Sequence, residues 1–179
     1  MQAKGKPAVF LDRDGVLTKE KGYVVSPEDM EIFPYVRECV RRIREKGFVA
    51  IVVTNQGGIA KGLFTEETLG EMNDRLIRQT GVDAVYYCPH HPEGCVEGYA
   101  GICTCRKPSM GMLEAARKDF AVDMDKSWMV GDRASDILTG KNAGIRTILL
   151  ESGYGTAGLE FAVEPDYVFR DLRDVPGIL

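Results

Sequence analysis

Ala8-Val9-Phe10-Leu11-Asp12-Arg13-Asp14-Gly15-Val16 is the stretch on which the fold class turns. Its first four residues are apolar without alternation, the pattern of a strand covered on both faces, as in parallel sheets flanked by helices. The run then meets two acids and a glycine, a residue suited to a sharp bend or to a close approach by a ligand. Further apolar runs follow at Val49–Val53, Val82–Tyr87, Trp128–Val130, Thr147–Leu150 and Tyr167–Phe169. Between them Val36, Val40 and Ile43, then Leu69, Met72 and Leu76, then Leu113, Ala116 and Phe120 recur at three and four residues, which is helical spacing. Thr65 and Ser109 or Ser135 suit helix starts, and Gly47, Gly81 and Gly144 suit helix ends. The alternation predicts an α/β fold, a doubly wound Rossmann-like parallel sheet with helices on both faces.

The chain has 179 residues, 44% apolar and 28% charged, which fits a single domain spanning 1–179. A net charge of −4 argues against a surface that coats nucleic acid, while leaving a local basic pocket open. No run of 18 apolar residues is present, so no membrane span is expected. Glycine is in surplus, 20 of 179 or about 11% against a usual 7% or so, and must serve particular turns. Five cysteines is an odd count, and Met1 to Pro7 does not read as a secretory leader. A cytoplasmic, monomeric protein with reduced thiols is therefore expected.

In an open parallel sheet the ligand crevice lies beyond the carboxyl ends of the strands. Three such ends carry reactive types: Asp12 after the first run, Thr54 after Ile51-Val52-Val53, and Gly131-Asp132 after Trp128-Met129-Val130. Carboxylates gathered there repel one another, and burying them as anions is costly without a cation. An oxygen-liking Mg²⁺ resolves that conflict. A single aspartate at a strand end is as readily a turn former or a helix cap. The ordered set Asp12, Asp14, Thr54, Lys107 and Asp132 carries the functional reading.

Cys88 to Pro108 is the one segment without periodicity, and it is too long for an ordinary connection. Cys88-Pro89-His90 opens it and Cys103-Thr104-Cys105 closes it, two close pairs of soft ligands that suit a tetrahedral Zn²⁺. One intervening residue is tighter than the usual two to four, and His91 and Cys95 compete for places. A disulfide, disfavoured in a reducing compartment, or buried free thiols are the alternatives. Cys39, between Val36 and Ile43 on the apolar side of its helix, reads as a packed core thiol.

Asp12-Arg13-Asp14-Gly15-Val16, Thr54-Asn55-Gln56, Arg106-Lys107-Pro108 and Gly131-Asp132-Arg133 through Asp136 resemble, in order, the four motifs of haloacid dehalogenase-type phosphatases. The resemblance implies that Asp12 is a nucleophile forming an aspartyl-phosphate. Asp14 would be the acid that protonates the leaving oxygen and the base that activates water. Mg²⁺ would be held by Asp12, Asp132 and the Asp14 backbone carbonyl, while Thr54 and Lys107 would neutralise the phosphoryl oxygens. Asp136 would be an acid orienting a metal-bound water or Lys107, or else a solvated helix residue.

A branch of that family carries Cys-x-His and Cys-x-Cys before Arg-Lys-Pro, and Cys88, His90, Cys103 and Cys105 match it as structural Zn²⁺ ligands. The zinc loop, 88–105, would then fix Arg106 and Lys107 at the edge of the crevice. No insertion is long enough for a separate cap domain, so selectivity falls to loops. Gly22-Tyr23-Val24, the stretch Thr54 to Gly62, the zinc loop and Asp166-Tyr167-Val168 resemble the heptose bisphosphate phosphatase branch, which implies a small-molecule sugar bisphosphate as partner. Substrate contacts are expected from Arg13, Glu20, Gly22, Tyr23, Asn55, Gln56, Gly57, Arg106 and Arg133. Thr18 and Glu20 depart from that branch, where Asn and Asp are usual. Histidinol phosphate or another phosphomonoester is the alternative substrate, and a zinc-loop binding module is the non-enzyme alternative.

Overall fold

The apolar runs pair into one six-stranded sheet in which every neighbouring pair is parallel. In chain order the strands are β1 (Ala8–Leu11), β2 (Val49–Asn55), β3 (Ala84–Cys88), β4 (Trp128–Gly131), β5 (Arg146–Leu150) and β6 (Tyr167–Phe169). Across the sheet they stand β3-β2-β1-β4-β5-β6. Among the described residues four α-helices connect them: α1 (Val36–Glu45), α2 (Glu66–Thr80), α3 (Gly111–Phe120) and α4 (Ala134–Asn142). This computed structural model describes residues 5–159 and 163–179. The chain winds outward from β1 to β3 and then returns to set β4 on the other side of β1. That reversal opens a crevice beyond the carboxyl ends of β1 and β4, where doubly wound sheets bind ligands.

Successive side chains of a strand point to opposite faces. On one face Val9, Leu11, Ala50, Val52, Trp128 and Val130 pack with Val36, Val40 and Ile43 of α1 and Leu69, Met72 and Leu76 of α2. On the other, Ala8, Phe10, Ile51, Val53 and Met129 pack with Met112, Leu113 and Ala116 of α3. Helix α4 lies so close to this second face that a Cβ at Gly140 would stand 2.4 Å from Thr147 Cγ2 and 2.9 Å from Met129 Cβ. Its buried residues are Ala134, Asp136, Ile137, Thr139 and Gly140. With a single large apolar side chain among them, the helix leaves no periodic signal in the sequence.

The element ends follow local chemistry. β2 runs two residues past Val53 because Thr54 and Asn55 stay in register with Tyr87 and Cys88. β3 begins at Ala84 rather than Val82, since Gly81 ends α2 in the left-handed region at φ 78° and the chain must first turn back. Thr65 caps α2, its hydroxyl accepting the Thr68 N–H at 3.2 Å. Neither candidate serine caps a helix: α3 starts after Met110, and Ser135 lies inside α4. At α4 the Asp136 carboxylate takes the capping role, accepting the N–H groups of Asp132 and Arg133 at 3.2 and 3.1 Å.

The two long connections, 12–35 and 89–110, contain isolated bridges and turns, and no separate cap domain stands over the crevice among the described residues. No described helix is long and apolar enough to cross a membrane.

Candidate active site

The crevice at the switch point has a volume of about 310 Å³. Asp12 and Asp14 enter it from the end of β1, Thr54 and Asn55 from β2, and Lys107 from the loop before α3. Gly15 makes the tight geometry possible: it sits at φ 83°, and a Cβ on it would lie 2.2 Å from Asp132 Oδ2.

The carboxylates of Asp12, Asp132 and Asp136 offer oxygens within 4.8 Å of one another, and all three residues are buried. One ammonium faces them: Lys107 Nζ lies 3.0 Å from Asp12 Oδ1 and 2.6 Å from Asp136 Oδ1, and it also donates to Val53 O at 2.8 Å. Asp12 Oδ1 further accepts the Arg13 N–H at 2.7 Å, while Asp12 Oδ2 takes no hydrogen bond from the described residues. Asp132 Oδ2 accepts the Tyr154 N–H at 2.8 Å, and its Oδ1 is buried without a partner among the described residues.

Three buried acids against one lysine leave excess negative charge. Burial pushes the Asp12 carboxyl up to about 6, with repulsion from Asp136 and Asp14 adding to it and Lys107 opposing. Burial, then repulsion from Asp12 and Asp136, pushes Asp132 up to about 8. For Lys107, burial is outweighed by Asp12 and Asp136, which hold its ammonium above the ordinary range. The orphan oxygen of Asp132 and the open oxygen of Asp12 are the donor set that a hard divalent cation takes.

Asp14 is arranged differently. Its Oδ1 accepts from Arg13 Nε at 3.1 Å and Thr18 Oγ1 at 3.0 Å, and its Oδ2 from Arg13 Nη2 at 2.9 Å and Gln56 Nε2 at 3.1 Å. All four lone-pair directions of the carboxylate are thus filled. Burial alone would raise its pKa, but the Arg13 charge and these hydrogen bonds win and hold it below the ordinary range. Its carboxylate is not among the three, those of Asp12, Asp132 and Asp136, whose oxygens lie close enough together to hold a metal ion.

In the loop that follows β3, Cys88, His90, Cys103 and Cys105 converge with ligand atoms within 4.8 Å of one another. The sulfurs stand 3.0 to 3.3 Å apart, and His90 Nδ1 lies 3.5 Å from Cys105 Sγ and 3.7 Å from Cys88 Sγ. All five cysteines are free thiols, which removes the disulfide alternative; Cys95 is exposed and Cys39 buried away from the cluster. Four soft donors gathered at one point suit a tetrahedral metal ion of the zinc type.

Comparison with known proteins agrees with this geometry. A HAD-hydrolase-like family profile matches residues 104–175. The chain is 41% identical to D-glycero-beta-D-manno-heptose-1,7-bisphosphate 7-phosphatase of Escherichia coli K12, covering 97% of this chain and 94% of that protein. It is 42% identical to D-glycero-D-manno-heptose-1,7-bisphosphate 7-phosphatase of Thermosynechococcus vestitus, covering 93% and 92%. The crystal structure of D,D-heptose 1,7-bisphosphate phosphatase from B. bronchiseptica, complexed with magnesium and phosphate, superposes with a TM-score of 0.82 at 32% identity, covering 96% of each chain. The chain belongs to the heptose-bisphosphate phosphatase family of haloacid dehalogenase-like hydrolases.

Most residues that the family motifs single out face the crevice together. Glu20, Gly22, Tyr23, Asn55, Gln56, Gly57, Arg106 and Arg133 line it with Asp12, Asp14, Thr54 and Lys107. Arg13 does not: it is fully buried, and its guanidinium forks onto Asp14. A guanidinium matches a carboxylate with two parallel hydrogen bonds, and Arg13 makes that pair with Asp14 inside the protein through Nε and Nη2, while its Nη1 is buried without a partner among the described residues. Asn55 serves the lysine as well as the crevice, accepting the Lys107 N–H at 2.9 Å and donating to Lys107 O at 3.2 Å. Arg133 pairs with Glu20 at 3.2 Å and lies over the Tyr154 ring at 4.0 Å. His91, Val24, Ser135 and Tyr154 complete the lining and were not among the expected substrate contacts. For Tyr154 a signal exists in the sequence, an aromatic residue between Gly153 and Gly155 just past a strand.

Proposed function

We propose that this chain hydrolyses the 7-phosphate of D-glycero-D-manno-heptose 1,7-bisphosphate to give heptose 1-phosphate. The observation that carries the reading is Asp12, which lines the crevice with Oδ1 held by Lys107 and the Arg13 N–H and with Oδ2 unbonded among the described residues. Asp12 Oδ2 forms a bond to phosphorus as the bond to the sugar oxygen breaks, and water then releases phosphate from the aspartyl-phosphate. Thr54 and Lys107 hold the phosphoryl oxygens, the positioning and charge work that phosphoryl transfer asks of a protein. Asp14 gives the leaving oxygen its proton and takes one from the water. With its lone pairs filled and its pKa held low, Asp14 must first take up a proton from solvent as substrate enters, which requires Thr18 or Gln56 to let go of one oxygen. Mg²⁺, held by the Asp12 and Asp132 carboxylates, supplies the positive charge that lets a carboxylate approach a phosphate dianion.

The carboxyl shifts give a pH test of that cation. Groups raised in the folded state stabilise it fully below the ordinary carboxylate range and lose that contribution as pH rises through the folded value. For Asp12 and Asp132 the loss runs through about 6 and about 8. Mg²⁺ relieves the repulsion that appears in this window, so it should raise Tm more at about pH 8.5 than at about pH 6. Melting curves with and without Mg²⁺ check this; equal shifts at both pH values would count against the site.

Cys88, His90, Cys103 and Cys105 hold a structural Zn²⁺ in this reading, fastening a loop of low apolar content beside Arg106 and Lys107. Elemental analysis of reduced protein after gel filtration should find about one zinc per chain, absent from Cys103→Ser. Zinc-free wild-type protein would reject the assignment.

The distal phosphate of the substrate meets Arg106, which has no carboxylate partner among the described residues, whereas Glu20 already neutralises Arg133. The test of the function is kcat/KM for the α and β heptose bisphosphates against histidinol phosphate. Preference for a heptose bisphosphate upholds the reading and names the anomer; preference for histidinol phosphate replaces it.

A further inference from the structure

We infer that His91 is a specificity-determining residue, donating its Nε2–H to the distal phosphate of the substrate beside Arg106. This rests on the bisphosphate reading above. Although the sequence leaves His91 as a competitor for the metal, its ring takes no part in the metal-ligating cluster and instead lines the crevice.

The tautomer follows from geometry. His91 Nδ1 lies 3.0 Å from the Glu93 backbone nitrogen and accepts its N–H, so Nδ1 carries no proton. The ring hydrogen is on Nε2, which is therefore a donor, and it has no partner among the described residues. The backbone holding the ring is itself fixed: the His91 N–H donates to Tyr99 O at 3.2 Å, and His91 O accepts from Gly94 and Gly101 at 3.0 and 3.1 Å.

Gly57 sets the ring beside Arg106 on the phosphate-binding turn. A Cβ there would lie 2.9 Å from His91 Cδ2, 3.2 Å from His91 Cβ and 3.2 Å from Arg106 Nη1. The missing side chain is what lets imidazole and guanidinium share that shelf. Arg106 Nη1 donates to His90 O at 3.0 Å, which ties the cation to the residue preceding His91. Together they present a cation and a neutral donor that no carboxylate pairs with among the described residues. That combination fits a second phosphate on a substrate whose first is at Asp12, and offers nothing to a monophosphate.

The experiment compares the full, metal-loaded enzyme and its variants on the heptose bisphosphate and on p-nitrophenyl phosphate. His91→Ala should raise KM for the bisphosphate about tenfold while moving kcat little, so the ratio of kcat/KM between the two substrates falls by a similar factor. His91→Gln, whose amide nitrogen reaches the Nε2 position, should recover most of that ratio, and His91→Asn, whose amide reaches the Nδ1 position, should not. An unchanged ratio in His91→Ala, or no difference between the Gln and Asn variants, overturns the assignment while the bisphosphate reading stands. A wild-type enzyme without preference for the bisphosphate overturns both.

Discussion

Asp12→Asn should fold as the wild type does and lose at least about 10⁴-fold in kcat, the scale of removing a covalent nucleophile. The amide keeps an oxygen for the Arg13 N–H, and Lys107 keeps its partner in Asp136 at 2.6 Å. Burial and the neighbouring acids already favour a neutral group at this position, so neutralising it should leave Tm in Mg²⁺-free buffer equal to or above that of the wild type. Acid quenching during turnover should trap a phosphorylated protein in the wild type and none in the variant. Turnover above about 1% of wild type, or label retained in the variant, would exclude attack by Asp12.

Lys107→Met should lose both activity and stability, by separable routes. Lys107 is 3% exposed, and its ammonium is shared by Asp12 and Asp136. Removing one partner of a buried ion pair leaves uncompensated charge and costs about 3–5 kcal/mol. Removing a donor aimed at developing phosphoryl charge costs about 10²–10³-fold in kcat. The double variant Lys107→Met/Asp136→Asn should recover much of the stability, because the orphaned acid goes with its partner, and should recover none of the activity. Denaturant unfolding alongside kinetics measures the two effects. A single variant with wild-type stability would contradict the ion-pair arrangement, and one within tenfold of wild-type kcat would take Lys107 off the phosphoryl group.

The reach of the sequence differs from residue to residue. That Asp12, Thr54 and Asp132 meet at one end of the sheet was legible because they sit where strands end, and a parallel sheet delivers those ends to one side whatever the strand order. That Cys88, His90, Cys103 and Cys105 converge was legible through their spacing and the family they resemble. Arg13 was misplaced because its fate depends on Asp14 turning inward to meet it, with Thr18 and Gln56 completing the carboxylate's shell. Asp136 was ambiguous because the same carboxylate both caps α4 and pairs with Lys107, 29 positions earlier in the chain. His91 was hidden by its neighbour, as two adjacent histidines offer the same chemistry until the backbone turns one to the three cysteines and the other to the crevice.

The sequence by itself determined the kind of sheet and the kind of chemistry. Burial on both faces demands unbroken apolar runs, and acids at strand ends demand a cation or an anionic substrate nearby. Only the tertiary structure decided which groups meet. The order β3-β2-β1-β4-β5-β6 sets β1 against β4, bringing Asp12 and Asp132 together across 120 positions of chain. Side chains at a turn point where packing from distant segments leaves room and partners, and no local pattern encodes that.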